Sequence, residues 1–277
     1  QADFITLPWP DSTNLGRYKT FSDRRWGYNV QAYDLINTCL SDTIANLATA
    51  GQASNNDRAC AILGKFSAAT NPQPSYLWAA AYRGATITRL SDDTGGVSTN
   101  MTGFVLQGIS PPEEQAYYPD RTTRETLLQS NISTWKVTSS GEVVVDKEVT
   151  SYRIGSSGQP DSTFTDVQVT AQCMIAAALI RTTMENAHAN KSVADRNPAG
   201  NAFISTPGDV FATWAHAVKD LETRGIVENS DAVIDRGYAV RNLSSADRVD
   251  ALGPLDMVNP LDIIAIRTLV YAQLPTA

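Results

Sequence analysis

Cysteine, histidine, clustered positive charge and long apolar runs are all scarce in this chain of 277 residues. The three cysteines, Cys39, Cys60 and Cys173, are widely separated, form no CxxC pair and lie near no histidine pattern. That spacing excludes a disulfide framework and a zinc site, and leaves them as small buried hydrophobes in reducing surroundings. No run approaches the ~18 consecutive apolar residues of a membrane-spanning helix. Gln1-Ala2-Asp3 is neither a basic leader nor the start of a sufficient apolar stretch, so no signal peptide is read. Lys and Arg number 22 against 29 Asp and Glu, for a formal charge of −7. With no basic cluster, direct nucleic-acid binding is not expected, because phosphate contacts need grouped cations. There is no G-x-S-x-G elbow, no H-E-x-x-H and no phosphate-cradling glycine loop, and no cofactor or metal is expected.

What is present is enough apolar material for a core: 42% of residues are hydrophobic and 18% charged. The length suits about two domains. Phe4-Ile5-Thr6-Leu7 reads as a strand stopped by Pro8, with Asp11, Ser12 and Thr13 offering caps for a following helix. A chain that starts without Met, directly in a strand, is expected to lack upstream sequence. Tyr33 to Ala50 reads as a second helix and Cys60 to Gly64 as a short buried strand. Ser75 is placed as the cap of an apolar helix through Tyr76, Trp78 and Tyr82, ending near Gly84. Strand and helix in alternation indicate an α/β layer.

Gly95, Gly96, Gly103, Gly108, Pro111 and Pro112 mark a loop-rich crossing. Thr122 and Glu125 have the spacing of a capping box for a short helix to Gln129. Ile132 to Val137, the turn Ser139-Ser140-Gly141 and Glu142 to Asp146 form the clearest hairpin signal, with a further strand expected from Glu148 to Ile154. Thr163 or Thr165 is expected to cap a long helix through Val167, Cys173 and Met184. The Gly/Ser/Pro punctuation near residue 160 divides the chain into 1–160 and 161–277.

The last third is the most legible. Pro207 at a first helical position and Gly225 just past an end bracket a helix capped by Thr206. Val210, Phe211, Trp214, Val218 and Leu221 form its apolar face, with Lys219, Asp220, Glu222 and Arg224 largely off it. From Asp262 the β-branched run places Ile264, Ile266, Val270, Ala272 and Leu274 on one face of a strand.

Blocks spread along the chain resemble contractile-tail sheath proteins of Mu-like bacteriophages. They are Leu77-Trp78-Ala79-Ala80-Ala81-Tyr82, Leu106-Gln107-Gly108-Ile109, Ser157-Gly158-Gln159-Pro160-Asp161-Ser162 and Gly225-Ile226-Val227-Glu228-Asn229. Arg248-Val249-Asp250 and Leu255-Asp256-Met257-Val258-Asn259-Pro260-Leu261 continue the series. The family's protein is longer, so the resemblance implies a fragment lacking the N-terminal portion. It implies part of a subtilisin-like α/β domain without its active site, followed by a smaller α+β C-terminal sheath domain. The implied role is a structural subunit that polymerises with its own copies around a tail tube and contracts to drive that tube through the host envelope. The implied location is the virion, after assembly in the bacterial cytoplasm.

Site expectations follow. The strand carrying Ile264, Ile266, Thr268, Val270, Ala272 and Leu274 is a candidate for pairing between subunits, with an ordinary internal strand as the equal alternative. Lys219, Glu222 and Arg224 are candidates for contact with the tube protein, with a solvated helix face as the alternative. A degenerate hydrolase would need a histidine held between a hydroxyl and a carboxylate. Of the two histidines, His216 reads as a structural residue on the amphipathic helix and His188 as a solvated residue at a frayed helix end. No catalytic residue is therefore assigned. A surface-binding module would need exposed aromatics, and Trp78, Tyr76 and Tyr82 in their Ala-rich helix read instead as core. Asp92-Asp93 and Glu113-Glu114 lack calcium-loop spacing and read as solvated loop charges.

Overall fold

The structure, a computed structural model, describes residues 3–27, 30–54, 56–66 and 73–262. Three parallel strands, β1 (Phe4–Leu7), β2 (Leu35–Asp42) and β3 (Cys60–Phe66), lie in the order β1-β2-β3. Helices α1 (Ser12–Trp26) and α2 (Ile44–Gln52) make the crossovers between them. The Tyr33–Ala50 helix is thus corrected to a strand followed by a separate helix. Leu35 through Cys39 are all buried, and a strand covered on both faces shows no alternation for a sequence reading to find. Thr43 separates the two elements by capping α2, its hydroxyl accepting from Asn46 N at 3.3 Å.

Alternate residues of these strands feed two cores. Leu35, Cys39, Ala61 and Leu63 join Trp78, Ala79 and Tyr82 of α3 (Ser75–Leu90) and Val167 and Ala171 of α5 (Val167–His188). Ile36, Cys60 and Ile62 join Leu15 of α1, Leu47 of α2, Ile132 and Leu127 of α4 (Arg121–Gln129). Helix α3 runs past Gly84, whose missing side chain faces open space, so only its modest helix propensity cost of ~1 kcal/mol is incurred and packing overrides it. Its N-cap is Pro74, which makes no side-chain bond, rather than Ser75. The cap of α4 is Asp120, accepting from Thr123 N at 2.7 Å, rather than the Thr122–Glu125 box. Within the larger core Arg83 and Glu148, both buried, pair at 2.8 Å.

The hairpin β4 (Thr134–Val137) and β5 (Val143–Lys147) forms as expected, as a separate two-stranded sheet joined to β3 by one bridge between Leu63 and Ser133. Ser133 N donates to Ile62 O at 2.8 Å, and Gly64 N to Ser133 O at 3.1 Å. Residues 148–154 make isolated bridges only, which corrects the expected strand. Asparagine side chains take the place of a partner strand there: Asn131 Nδ2 donates to Thr150 O and Tyr152 O, while Asn56 Oδ1 accepts from Arg153 N and Ile154 N.

Two two-residue strands, β6 (Ser192–Val193) and β7 (Ile204–Ser205), lead to α6 (Pro207–Thr223) and α7 (Ser230–Ile234). An antiparallel ribbon, β8 (Tyr238–Arg241) and β9 (Val249–Leu252), follows. The larger core takes residues from both sides of residue 160, from Leu35 and Trp78 to Trp214, Leu221 and Val233.

Candidate functional site

Helix α6 is the platform on which the ribbon is mounted. Thr206 and Asp209 cap it reciprocally, with Asp209 N donating to Thr206 Oγ1 at 3.2 Å and Thr206 N to the Asp209 carboxylate at 2.9 Å. Pro207 opens the helix and Gly225, at φ +71°, follows its end. Val210, Trp214, Val218 and Leu221 are buried along one face. Two glycines, Gly237 just before β8 and Gly253 just after β9, bring the ribbon backbone against the Trp214 indole. A Cβ at Gly253 would lie 2.1 Å from Trp214 Cζ2, and one at Gly237 2.5 Å from Cζ3.

The register pairs Tyr238 with Leu252 and Val240 with Asp250, so Tyr238, Val240 and Leu252 share one side. All three are exposed, while Ala239 and Arg241, on the other side of β8, are half-buried. Among the described residues β8 and β9 pair only with each other, and the outer edge of each presents backbone donors and acceptors. Exposed apolar side chains beside an open edge make a surface suited to strand addition.

No protein-family model matches the chain. Over 266 residues it is 26% identical to the tail sheath protein of the Mu-like prophage FluMu in Haemophilus influenzae, covering 95% of the chain and 53% of that protein. A sheath tail protein from Listeria innocua superposes with a TM-score of 0.61 at 11% identity, covering 92% of the chain and 53% of the other. The contracted helical sheath of the anti-feeding prophage superposes with a TM-score of 0.56 at 14% identity, covering 96% and 69%. This chain has the tail sheath fold. It spans about half the length of the curated relative it matches.

Within the sheath fold, the three α6 candidates already hold partners. Lys219 Nζ pairs with Asp231 Oδ1 at 2.8 Å, and the Glu222 carboxylate accepts from Ser230 N at 3.0 Å and Ser230 Oγ at 2.6 Å. Both therefore fasten α7 to α6. The bonds from Ser230 hold the Glu222 carboxyl below its usual value, and Asp231 raises the Lys219 ammonium. Arg224 reaches the other way, to Asp93 at 2.7 Å and Asp220 at 3.1 Å. Asp93 is thus not a free loop charge, and neither is Asp92, which accepts from Thr94 N at 2.8 Å. Ile264, Ile266, Thr268, Val270, Ala272 and Leu274 lie outside the described residues.

His188 is corrected. It is half-buried, with Nδ1 2.8 Å from Ser205 Oγ and Nε2 3.0 Å from Thr213 Oγ1. The Thr213 hydroxyl donates to Asp209 O at 3.0 Å, so Nε2 carries the ring hydrogen and the Ser205 hydroxyl donates to Nδ1. Burial lowers the imidazole pKa, aided by Lys191 and opposed by Asp209. A serine–histidine contact is present here that spacing in the sequence did not reveal. No carboxylate backs the ring: Nε2 meets a hydroxyl, and the Asp209 carboxylate is engaged by Thr206. The cluster joins α5, β7 and α6. His216 is exposed.

Trp78 and Trp135 are fully buried, with ring centroids 4.8 Å apart. Neither is available to a ligand, whereas Tyr76 on the same helix is exposed. Cys39 and Cys60 are buried, and burial pushes the Cys39 thiol up to about 12. Among the described residues no group of three or more His, Cys, Asp or Glu is placed to hold a metal ion, and no helix is long and apolar enough to cross a membrane.

Proposed function

We propose that this chain is the structural subunit of a contractile phage tail sheath, which polymerises with its own copies around a tail tube and contracts to drive the tube through the host envelope. The observation that carries this reading is similarity along 95% of the chain to a Mu-like prophage tail sheath protein, supported by superposition on a contracted helical sheath. Residues 1–160, with a parallel sheet helical on both faces, are the subtilisin-like part, and residues 161–277 the C-terminal sheath part. The subunit performs no chemistry and belongs to the virion after assembly in the host cytoplasm. Contraction requires two lattice packings of different energy, with rigid subunits moving between them.

Strand exchange supplies connections that survive such movement. In this reading, the run Ile264 to Leu274 of one copy adds to the open edge of the β8–β9 ribbon of another. The exposed α6 surface around Lys219, Glu222 and Arg224 faces the tube. Negative-stain electron microscopy of the full-length protein tests the reading. Stacked rings or tubes are expected, and deletion of residues 263–277 abolishes them while the circular dichroism spectrum is kept. Persistent monomers, even with tube protein added, would refute it.

A further inference from the structure

Five side chains from five separate segments form one row at the amino end of the parallel sheet. Arg58, just before β3, lies over the ring of Trp26, the last residue of α1, at 4.9 Å and over the ring of Phe164 at 5.7 Å. Tyr33 continues the row beyond Trp26, T-shaped with ring centroids 5.1 Å apart, and Tyr152 continues it beyond Phe164, T-shaped at 5.5 Å. All five are half-buried. Hydrogen bonds pin the segments that carry them. Trp26 Nε1 donates to Asp34 O at 3.1 Å, Thr170 Oγ1 to Arg58 O at 2.8 Å, Thr150 Oγ1 to Phe164 O at 2.6 Å and the Tyr152 hydroxyl to Asp161 at 2.7 Å.

The guanidinium at the centre of the row is the uncompensated group. Two other arginines lie over rings, Arg25 over Phe21 and Arg83 over Phe4, and each also pairs with a carboxylate, of Asp34 and Glu148 respectively. Arg58 has neither an ion pair nor a side-chain hydrogen bond among the described residues, and none of its nitrogens is sealed from solvent. The charges around it are engaged elsewhere. Asp57 is buried and accepts from Ala59 N at 2.9 Å, Asp161 is held by Tyr152 and Thr163, and Lys19 pairs with Asp23 at 3.4 Å. An arginine stacked on aromatic rings presents the donors of its planar fork in a fixed direction. A fork ordered in advance loses little freedom when a partner takes it.

We propose that this row is a docking surface for a protein partner, on which Arg58 takes one Asp or Glu carboxylate of that partner in a bidentate pair while the four rings pack against apolar side chains beside it. Nothing in the row depends on the sheath assignment. Tryptophan, tyrosine and arginine are the residue types that dominate binding at such surfaces. A chain of formal charge −7 with one uncompensated cation in the row suits a single carboxylate and does not suit a polyanion, whose binding needs several grouped cations. Stacking of nucleic-acid bases is disfavoured as well, since each ring of the row already meets a neighbouring ring or the guanidinium.

The test is NMR of the full chain, following the Arg58 Nε–H and Trp26 indole N–H signals during titration with a blocked peptide of alternating leucine and glutamate. Both signals are expected to move and to saturate together. The same peptide with glutamine in place of glutamate is expected to bind about tenfold more weakly, because the charge-assisted pair is lost. Arg58→Lys keeps the charge and loses the fork, and is expected to weaken the glutamate peptide about tenfold, read from the Trp26 signal. Its circular dichroism spectrum and the exchange of β2 and β3 amides check that it is folded. Unmoved Arg58 and Trp26 signals in the parent, or equal affinity of the parent for the two peptides, would overturn the proposal. So would a folded Arg58→Lys that binds as the parent does. An oligothymidylate that moves both signals at a lower concentration than the glutamate peptide would also overturn it, making the row a nucleic-acid surface.

Discussion

Replacing Gly253 by alanine tests how the ribbon is held. The added Cβ would stand 2.1 Å from Trp214 Cζ2 and 2.3 Å from Cη2, where carbon atoms pack at about 3.5–4.0 Å. The indole has little freedom to withdraw, being buried and stacked on Phe211 with centroids 5.7 Å apart at 27°. Either the ribbon lifts or the ring leaves its rotamer, and overpacking of this kind costs about 1–3 kcal/mol. Restricting the unfolded chain returns ~0.4–1 kcal/mol, so a net loss of about 1–2 kcal/mol is expected. Urea unfolding followed by tryptophan emission measures it, and hydrogen exchange over 238–252 is expected to rise with it. A double-mutant cycle isolates the cause. In a Trp214→Leu background Gly253→Ala is expected to be neutral or slightly stabilising, a coupling of about 1–3 kcal/mol. Gly253→Ala as stable as the parent, or an equal penalty in both backgrounds, would refute the reasoning.

Arg83→Met strands the buried Glu148 and is expected to cost about 3–5 kcal/mol at neutral pH. Burial already raises the Glu148 pKa against the opposing Arg83, and removing the arginine raises it further. A carboxyl whose folded pKa lies above its unfolded value contributes stability that is present below the unfolded value and lost as pH rises through the folded one. The variant's deficit is therefore smallest near pH 4.5 and grows toward neutrality, and thermal melts showing a constant difference would contradict this. Thr206→Ala removes one half of the α6 capping box and is expected to lower stability by about 1 kcal/mol, with Thr206→Ser nearly neutral; equal denaturant midpoints for the parent and Thr206→Ala would show that the cap contributes nothing.

Elements bounded by strong local chemistry were legible in the sequence, and those decided by tertiary partners were not. Helix α6 carries its own start in Thr206-Pro207 and its own stop in Gly225, and the hairpin at 134–147 has β-branched strands with a glycine turn between them. Strand β2 hid because both its faces are covered, so its apolar run merged with that of α2. The irregular path at 148–154 depends on Asn131 and Asn56, distant in sequence from the backbone they satisfy. His188 looked solvated at a helix end, yet Ser205 and Thr213 arrive from elements beyond the loop that follows it. The glycines that seat the ribbon carried no signal of their own, since only the position of Trp214 gives their missing side chains a meaning.

The division of the sheet's two faces has a consequence for the order in which the chain acquires stability during synthesis. The core built on Ile36, Ile62, Leu127 and Ile132 is closed by residues that have all emerged by the first half of the chain. The larger core, on the other side, is not complete until Trp214, Leu221, Ile226 and Val233 arrive. A nascent chain therefore carries an incomplete larger core until α6 and α7 have been made. That interval is when a chaperone or premature association competes with folding. Because the late-arriving helix is also the mount for the ribbon, the exposed β8–β9 surface matures only after the first core is sealed.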